Sequence, residues 1–214
     1  MKKFWVLISL FILPLVFYIF LSKGIYKYAN LPILTEDVID VNQLQNATIT
    51  FKDKFSIVGF FGSNIQTAKA SLFNLNQTIY KRYHQKPFFQ MVAVVPKNSK
   101  QAYAEVVLEL SAFTNIEQWH FIYASDQEIK ELFKSFNTPY KLNTNLHSNF
   151  AFIVDKELRL RGRKDDEDIA DGKLYGYDMN SVAVLKNKMR DDIDIIYYQL
   201  KKSAEKKARR KRKI

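Results

Sequence analysis

Short apolar runs that alternate with amphipathic segments limit the folds open to this chain more than any other feature. Three apolar runs have the length of buried strands, at residues 55–61, 88–95 and 119–123. An amphipathic segment follows each run, with apolar residues three or four apart, at residues 67–83, 101–112 and 125–136. Strands that alternate with helices predict a parallel sheet with right-handed crossovers and helices on both faces.

The remaining predicted elements complete the layout. Residues 149–154 and 158–163 are two strands joined too tightly for anything but a hairpin, which adds an antiparallel edge. Ser125 and Glu128 form a capping box that begins the third helix. A last helix covers residues 181–202. The predicted order is β-α-β-α-β-α-β-β-α, an α/β thioredoxin-like three-layer sandwich.

The spacing of apolar residues also predicts which side of each helix is buried. For the second helix, the residues expected to face inward are Ala104, Val107, Leu108 and Ser111. For the last helix they are Leu185, Met189, Ile193, Ile196 and Leu200.

The N-terminus carries an apolar run over residues 4–21, interrupted only by Ser9 and the hydroxyl of Tyr18. A helix of this length spans about 27 Å, close to the roughly 30 Å of a bilayer's hydrocarbon core. Lys2 and Lys3 precede it, and no small-x-small cleavage site follows, so we expect one uncleaved transmembrane helix, with a cleaved signal peptide as the alternative. The predicted parts are an anchor at 1–22, a linker and lead-in at 23–47, a domain at 48–202 and a basic tail at 203–214.

The net charge of +11 is concentrated at the C-terminus, where residues 201–213 hold nine Lys or Arg against one Glu. The tail is a solvated helix end or a segment that lies on anionic lipid headgroups. The basic residues involved are Lys206, Lys207, Arg209, Arg210, Lys211, Arg212 and Lys213. Since no aromatic residues interleave with the charge, we expect no nucleic-acid partner.

The chain contains no cysteine, which excludes disulfides, thiolate metal sites and thiol nucleophiles. It also lacks a glycine-rich phosphate loop and the common hydrolase motifs. We therefore expect no enzymatic activity and no cofactor. Residues 165–171 hold five acidic residues without the ligand spacing of an EF-hand, which favours a solvated loop over a calcium site.

Several segments of the domain, in order, are similar to the SCO/SenC family of membrane-anchored, thioredoxin-like copper chaperones that assist cytochrome c oxidase assembly. The first is the loop after the first strand, where the family carries Cys-x-x-x-Cys. The segments that carry the resemblance are Gly59 to Ala68, Trp119 to Lys130, Leu146 to Lys156, and Arg161 to Arg163. The family's copper-ligand histidine corresponds to His147.

This sequence departs from the family at the positions of the reactive and metal-binding residues. Asn64 and Ala68 occupy the cysteine positions, and Leu146 replaces an aspartate. Because copper(I) prefers soft thiolates, copper transfer by the family's mechanism is not expected. The resemblance then implies a non-catalytic accessory or assembly subunit of a bacterial inner-membrane complex, a respiratory complex being one candidate. It places the N-terminus in the cytoplasm and the domain in the periplasm.

The resemblance also suggests which residues meet that partner. The residues predicted to line a partner-facing edge are Phe60, Phe61, Ser63, Asn64, Ala68 and His147. The alternative function is a copper or zinc protein that uses His147 with oxygen ligands. His84 and His120 are expected to be structural or exposed.

Overall fold

The computed structural model describes residues 10–19, 30–45 and 48–211. Two compact units divide the chain, one formed by Leu31–Asp194 and the other by the described parts of residues 1–30 and 195–214. The first unit carries the sheet and every residue of the candidate site.

The strands of the first unit are β1 (Ile33–Thr35), β2 (Phe55–Phe61), β3 (Phe89–Pro96), β4 (Trp119–Ala124), β5 (His147–Val154), β6 (Leu160–Arg161) and β7 (Tyr177–Asp178). They form one sheet in the order β1-β6-β5-β2-β3-β4, and β7 pairs with β5. β2, β3 and β4 are parallel, whereas β5 is antiparallel to β2 and β6 is antiparallel to β5. The mixed sheet agrees with the prediction, except that the hairpin is not the edge, because β1 pairs outside β6.

The helices are α1 (Ile65–Leu75), α2 (Lys100–Phe113), α3 (Asp126–Ser135) and α4, which begins with Val182–Val184 and ends with Arg190–Lys211. α1 continues through a π turn at Asn76–Tyr80 into Lys81–Tyr83, and α4 has a π turn at Leu185–Met189. The predicted capping box is present at α3, where the Ser125 hydroxyl accepts from the Glu128 N–H and the Glu128 carboxylate accepts from the Ser125 N–H. The predicted order of helices and strands is confirmed, with β1 and β7 as additions.

Strand residues are buried on both faces of the sheet. Val58 and Phe60 belong to the core cluster that also contains Leu132 of α3 and Phe136, the residue that follows this helix. Residues of the opposite parity, such as Phe61, turn to the other face, as the two-residue period of a strand requires. β2 is therefore a continuous buried run, which is why it is so plain in the sequence.

The buried face of α2 differs from the predicted one. Tyr103, Val106 and Leu110 are buried, whereas Leu108 is 69% exposed and Ser111 is also exposed. Apolar residues surround most of this helix, so their spacing gave the period of the helix but not the side that packs. In α4 the inward positions Leu185, Met189 and Ile193 are buried as predicted.

Residues 31–45, predicted as part of a linker and lead-in, contribute to the sheet and the core. Val38 and Val41 belong to the core cluster, and the Val38 N–H donates to Leu158 O at 2.8 Å. Asp40 fastens the end of the segment, since its carboxylate accepts from the Thr50 hydroxyl and, at 2.6 Å, from the Phe51 N–H. This segment is thus built into the domain by long-range pairing.

In the second unit, residues 10–19 are helical and their side chains are exposed. Among the residues described, no helix has both the length and the apolar character required to cross a bilayer. The rest of the predicted anchor, residues 1–9 and 20–22, lies outside the described residues. The helical backbone of α4 reaches Lys211, so Arg212 and Lys213 of the basic tail also lie outside them.

Candidate functional site

Two loops meet where β2 ends, and together they form the loop site, defined here as residues 61–64 and 143–147. The sheet register pairs Phe61 with His147. The Ser63 N–H donates to Asn145 O at 2.9 Å. The predicted neighbours Asn64 and His147 therefore belong to the same end of the sheet.

Gly62 permits this close approach. Its φ is +64°, and a Cβ there would lie 2.3 Å from Asn145 O and 2.8 Å from the backbone nitrogen of His147. Any side chain at this position would both strain the backbone and push the two loops apart.

Asn64 is the N-cap of α1. Its Oδ1 accepts from the backbone N–H groups of Gln66 at 3.1 Å and Thr67 at 3.3 Å, two donors that the helix itself leaves free. The helix N-terminus that would stabilise a thiolate in a thioredoxin-like protein is therefore occupied by a neutral amide oxygen.

The other predicted residues of this loop differ in exposure. Ser63 and Asn64 are exposed, whereas Phe60, Phe61 and Ala68 are each 0% exposed. Phe60 packs edge-on against Phe133, with ring centroids 5.0 Å apart. Phe60 and Phe61 are thus core residues, because β2 is buried on both faces, and Ala68 is a buried residue of α1. None of the three lies on the partner-facing surface predicted for it.

His147 is 3% exposed and both of its ring nitrogens are engaged. Nδ1 lies 3.2 Å from Phe61 O, and Nε2 lies 3.1 Å from Asn149 Oδ1. A carbonyl oxygen can only accept, so Nδ1 carries a proton. Nε2 either donates to the Asn149 oxygen or accepts from the Asn149 amide nitrogen if that group is turned over. In both arrangements the ring has no free lone pair for a metal ion.

Two residues that the sequence did not single out shape the loop site. The Asn143 Oδ1 accepts from the N–H groups of Asn145 at 2.9 Å and His147 at 3.0 Å, which closes a tight turn. The Tyr103 hydroxyl donates to Phe61 O at 3.1 Å and Gly62 O at 2.9 Å. Burial raises the pKa of this hydroxyl above its ordinary value. The sequence could not indicate these roles. The bonds of Tyr103 join residues distant in the chain, and the bonds of Asn143 depend on the geometry of the loop.

The loop site offers little for metal chemistry. Leu146, at the position of the family's aspartate, is buried in the core cluster with a φ of +62°. Within residues 10–19, 30–45 and 48–211, no group of three or more His, Asp or Glu is placed to hold a metal ion. The other histidines serve structure: His84 stacks on Tyr80, and burial, with Lys54, lowers the pKa of His120.

The acidic segment after β6 is only partly solvated. Four of its five acids are exposed, but Asp166 is buried and lies 2.6 Å from Lys188 Nζ. Nearby, Asp192 accepts from Arg163 Nε at 2.9 Å and from the Tyr177 hydroxyl at 2.6 Å. We call Arg163, Asp166, Tyr177, Lys188 and Asp192 the ionic network. Lys188 thus provides the positive charge beside Asp166 and also pairs with the exposed Asp168 at 2.6 Å.

Solved structures of known proteins share this fold. BsSco, a member of the Sco family of cytochrome c oxidase assembly proteins, matches with a TM-score of 0.51 and 17% identity over 78% of this chain and 96% of its own. Sco1 from Thermus thermophilus matches with a TM-score of 0.47 and 16% identity over 80% and 96%. A SCO1/SenC family lipoprotein from Bacillus anthracis matches with a TM-score of 0.47 and 14% identity over 78% and 96%.

No family model and no curated protein sequence matches this chain. At identities this low the structural likeness speaks for the fold alone. The predicted resemblance to SCO/SenC proteins is confirmed at that level: the chain has a mixed α/β, thioredoxin-like fold similar to that of BsSco.

Proposed function

We propose that this chain is a non-catalytic, membrane-anchored binding protein that serves as an accessory or assembly subunit of an inner-membrane complex. The observation that carries the proposal is the saturation of the loop site. Asn64 occupies the helix N-terminus, both nitrogens of His147 are bonded, and the whole sequence lacks cysteine. A thioredoxin-like scaffold without reactive groups can still present its surface to a partner.

Two further features support the membrane setting. The side chains of residues 10–19, including Leu10, Phe11 and Phe17, are exposed on a helix, and apolar residues flank them in the sequence. Exposed apolar side chains in such number favour a lipid or protein environment. In this proposal the helix anchors the chain with the N-terminus in the cytoplasm and the domain in the periplasm.

The candidate partner class comes from the structural neighbours. BsSco belongs to a family of cytochrome c oxidase assembly proteins. A respiratory complex of the inner membrane is therefore the first partner to test. The surface proposed for contact is the exposed part of the loop site, Ser63 and Asn64, with Asn145 beside them.

Site-specific photocrosslinking of the full chain in its native membrane tests this proposal. A photoreactive side chain at Ser63 should give a discrete crosslink to a membrane protein after detergent extraction. The matched control is Lys86, which is exposed and precedes β3, at the opposite end of β2 and β3. Equal labelling from both positions, or a chain that emerges uncrosslinked from both, would contradict a partner at the loop site.

A metal titration checks the alternative function. Because both ring nitrogens of His147 are engaged, we expect calorimetric titration with copper(II) or zinc to give the same result for the unmodified chain and for His147→Ala. Binding that depends on His147 would favour the metal-binding alternative instead.

Restoring the cysteines asks whether the scaffold still suits thiol chemistry. Asn64→Cys with Ala68→Cys places the two thiols one helical turn apart at the start of α1, within reach of a disulfide. We expect the double variant to form a reducible intramolecular disulfide, detected by thiol labelling before and after reduction. The single variants serve as controls.

A further inference from the structure

A cavity lies next to the loop site, between α3 and the segment that leads to β5. Its volume is about 490 Å³, and its lining includes three lysines and an apolar wall. We call it the lysine pocket. Asn143 and Leu146 belong to both the loop site and the lysine pocket, whereas Ser63 and Asn64 do not line the pocket.

The positive charge of this pocket is uncompensated. Lys130 and Lys134 lie one turn apart on α3, and Lys141 comes from the following segment. All three are exposed, and none of the residues described as lining the pocket is acidic. Within the described part of the chain, none of the three forms an ion pair with a carboxylate.

Ordinary structural roles explain only one of these lysines. The ammonium of Lys134 lies in the last turn of α3, where the helix dipole favours a cation. Lys130 lies a turn earlier and Lys141 lies outside the helix. Like charges one turn apart destabilise a helix, and an anion bound between Lys130 and Lys134 would offset this repulsion.

The wall of the pocket is apolar and firmly held. Phe133 is part of the core cluster, and Tyr140 stacks on Phe150 with ring centroids 3.8 Å apart and an angle of 6°. Leu142 packs against the same cluster. Such a wall can receive an aromatic or aliphatic side chain while the lysines receive carboxylates.

The chain's own acidic segment does not fill the pocket. Burial raises the pKa of Tyr140, against the lowering effect of backbone hydrogen bonds from Gly176 and Tyr175, and the carboxylates of Asp171 and Asp166 raise it slightly further. Asp166 is already paired with Lys188, however, and neither acid lines the pocket.

We propose that the lysine pocket binds an acidic segment of a partner protein, with two or more carboxylates beside an aromatic or aliphatic residue. Charge complementarity supplies the attraction, and the apolar wall supplies the specificity. A lipid headgroup would meet the exposed ammonium groups but offers no aromatic or aliphatic side chain to the apolar wall. A free inorganic anion would leave that wall unused. This inference does not depend on the function proposed for the loop site.

The experiment measures fluorescence anisotropy of labelled short peptides with the full chain in detergent micelles. The peptides carry two or three Glu around one Phe, Tyr or Leu, and each has a neutral counterpart with Gln in place of Glu. Inorganic phosphate and vesicles containing phosphatidylglycerol are separate arms. The test variant is Lys130→Glu with Lys134→Glu. The matched control is Lys52→Glu with Lys86→Glu, the same charge change at two exposed lysines outside the pocket.

We expect the double reversal at Lys130 and Lys134 to weaken binding of the acidic peptides at least about tenfold, and the control about twofold or less. The Gln peptides should not bind, and Lys130→Arg with Lys134→Arg should retain binding, which separates loss of charge from loss of folding. Asn64→Asp should also retain it, so a failure here is distinct from a failure at the loop site. The proposal is overturned if no acidic peptide binds more tightly than about 1 mM, if the control reversal weakens binding equally, or if only phosphate or vesicles bind.

Discussion

At the loop site the buried polar groups bond to backbone carbonyls and amides, whereas in the ionic network two buried carboxylates bond to Arg163 and Lys188. Tyr103, Asn143 and His147 fix the loops through hydrogen bonds with backbone groups of Gly62, His147 and Phe61. In the network, Asp192 is 1% exposed and depends on Arg163 and Tyr177 for all of its contacts described above. Both regions hold loops against the same sheet.

In both regions, residue types that often serve in catalysis or metal binding serve the structure instead. The loop site corresponds to the segment where SCO/SenC proteins carry their cysteines, and here its polar groups are saturated. The acidic segment that the sequence suggested was solvated includes one buried carboxylate, Asp166, which is paired with the partly buried Lys188. The type of a residue therefore indicates less about function than whether its bonding capacity is already filled. The four predictions below test this contrast.

The largest effect is expected in the ionic network. Asp192→Ala leaves Arg163 without its main partner and the buried Tyr177 hydroxyl without an acceptor, so it should lower the free energy of unfolding by about 3–5 kcal/mol. Urea denaturation measures the change. Asp191→Ala, at the exposed neighbouring position, should change it by less than about 0.5 kcal/mol. A loss below about 1 kcal/mol at Asp192 would show that the network is not a structural clamp.

At the loop site the backbone should matter more than any side chain. Gly62→Ala introduces a left-handed non-glycine residue and a clash with the opposite loop, with an expected loss of about 2–4 kcal/mol. Ser63→Ala, one residue later and exposed, is the control and should be nearly neutral. Thermal unfolding followed by circular dichroism compares the two. Equal behaviour would mean that the two loops do not need their close approach.

A smaller effect is expected for the helix cap. Asn64→Ala removes the acceptor for the N–H groups of Gln66 and Thr67 and should cost about 1 kcal/mol. Asn64→Asp keeps the acceptor and adds a charge that the helix dipole favours, so it should restore the stability or raise it slightly. If Asn64→Ala unfolds at the same urea concentration as the unmodified protein, the cap does not contribute.

The smallest effect is a pH dependence at Asp155. Burial alone would raise the pKa of this carboxyl, but hydrogen bonds from Arg159 and Arg161 outweigh it and leave the pKa below its ordinary value. A group with a lowered folded-state pKa stabilises the protein above its unfolded pKa, near 3.9 for an Asp, and that stability is lost as the pH falls through the folded value.

Unfolding free energies measured from pH 7 downward should therefore decline more steeply below about pH 4 in the unmodified protein than in Asp155→Asn. The variant should also be less stable at pH 7, where the unmodified carboxylate is fully charged. Parallel pH profiles for the two proteins would rule out a contribution from this ion pair. Glu157→Gln, on the exposed side of the same turn, is the matched control.

Prediction from sequence succeeded where one local property decides the outcome. β2 is a continuous apolar run because both its faces are covered, and Ser125 with Glu128 begins α3 through bonds within three residues. It failed at α2, where apolar residues on most sides of the helix leave the buried side undetermined and Leu108 is exposed. The same limit hid β1, since a three-residue strand is defined only by its partner β6.

For the candidate site, the sequence located the two loops but not which of their side chains are buried or already hydrogen-bonded. The expected juxtaposition of the Asn64 and His147 segments is present because β2 and β5 are neighbours in the sheet. The burial of Phe60, Phe61 and Ala68, and the double engagement of His147, depend on atoms that lie far away along the chain. Asn143 and Tyr103 became visible as positioning residues only through those contacts.

The amino-acid sequence by itself determined that this chain cannot carry out thiol chemistry, because that conclusion needs only the absence of cysteine from the sequence. It also determined the alternation of strands and helices, because burial imposes a period of two or of three to four residues on a chain. Only the tertiary structure decided which polar groups remain available to a ligand, because bonding capacity is filled by neighbours in space. By that measure His147 is occupied, whereas the lysines beside α3 still lack a carboxylate partner within the described chain.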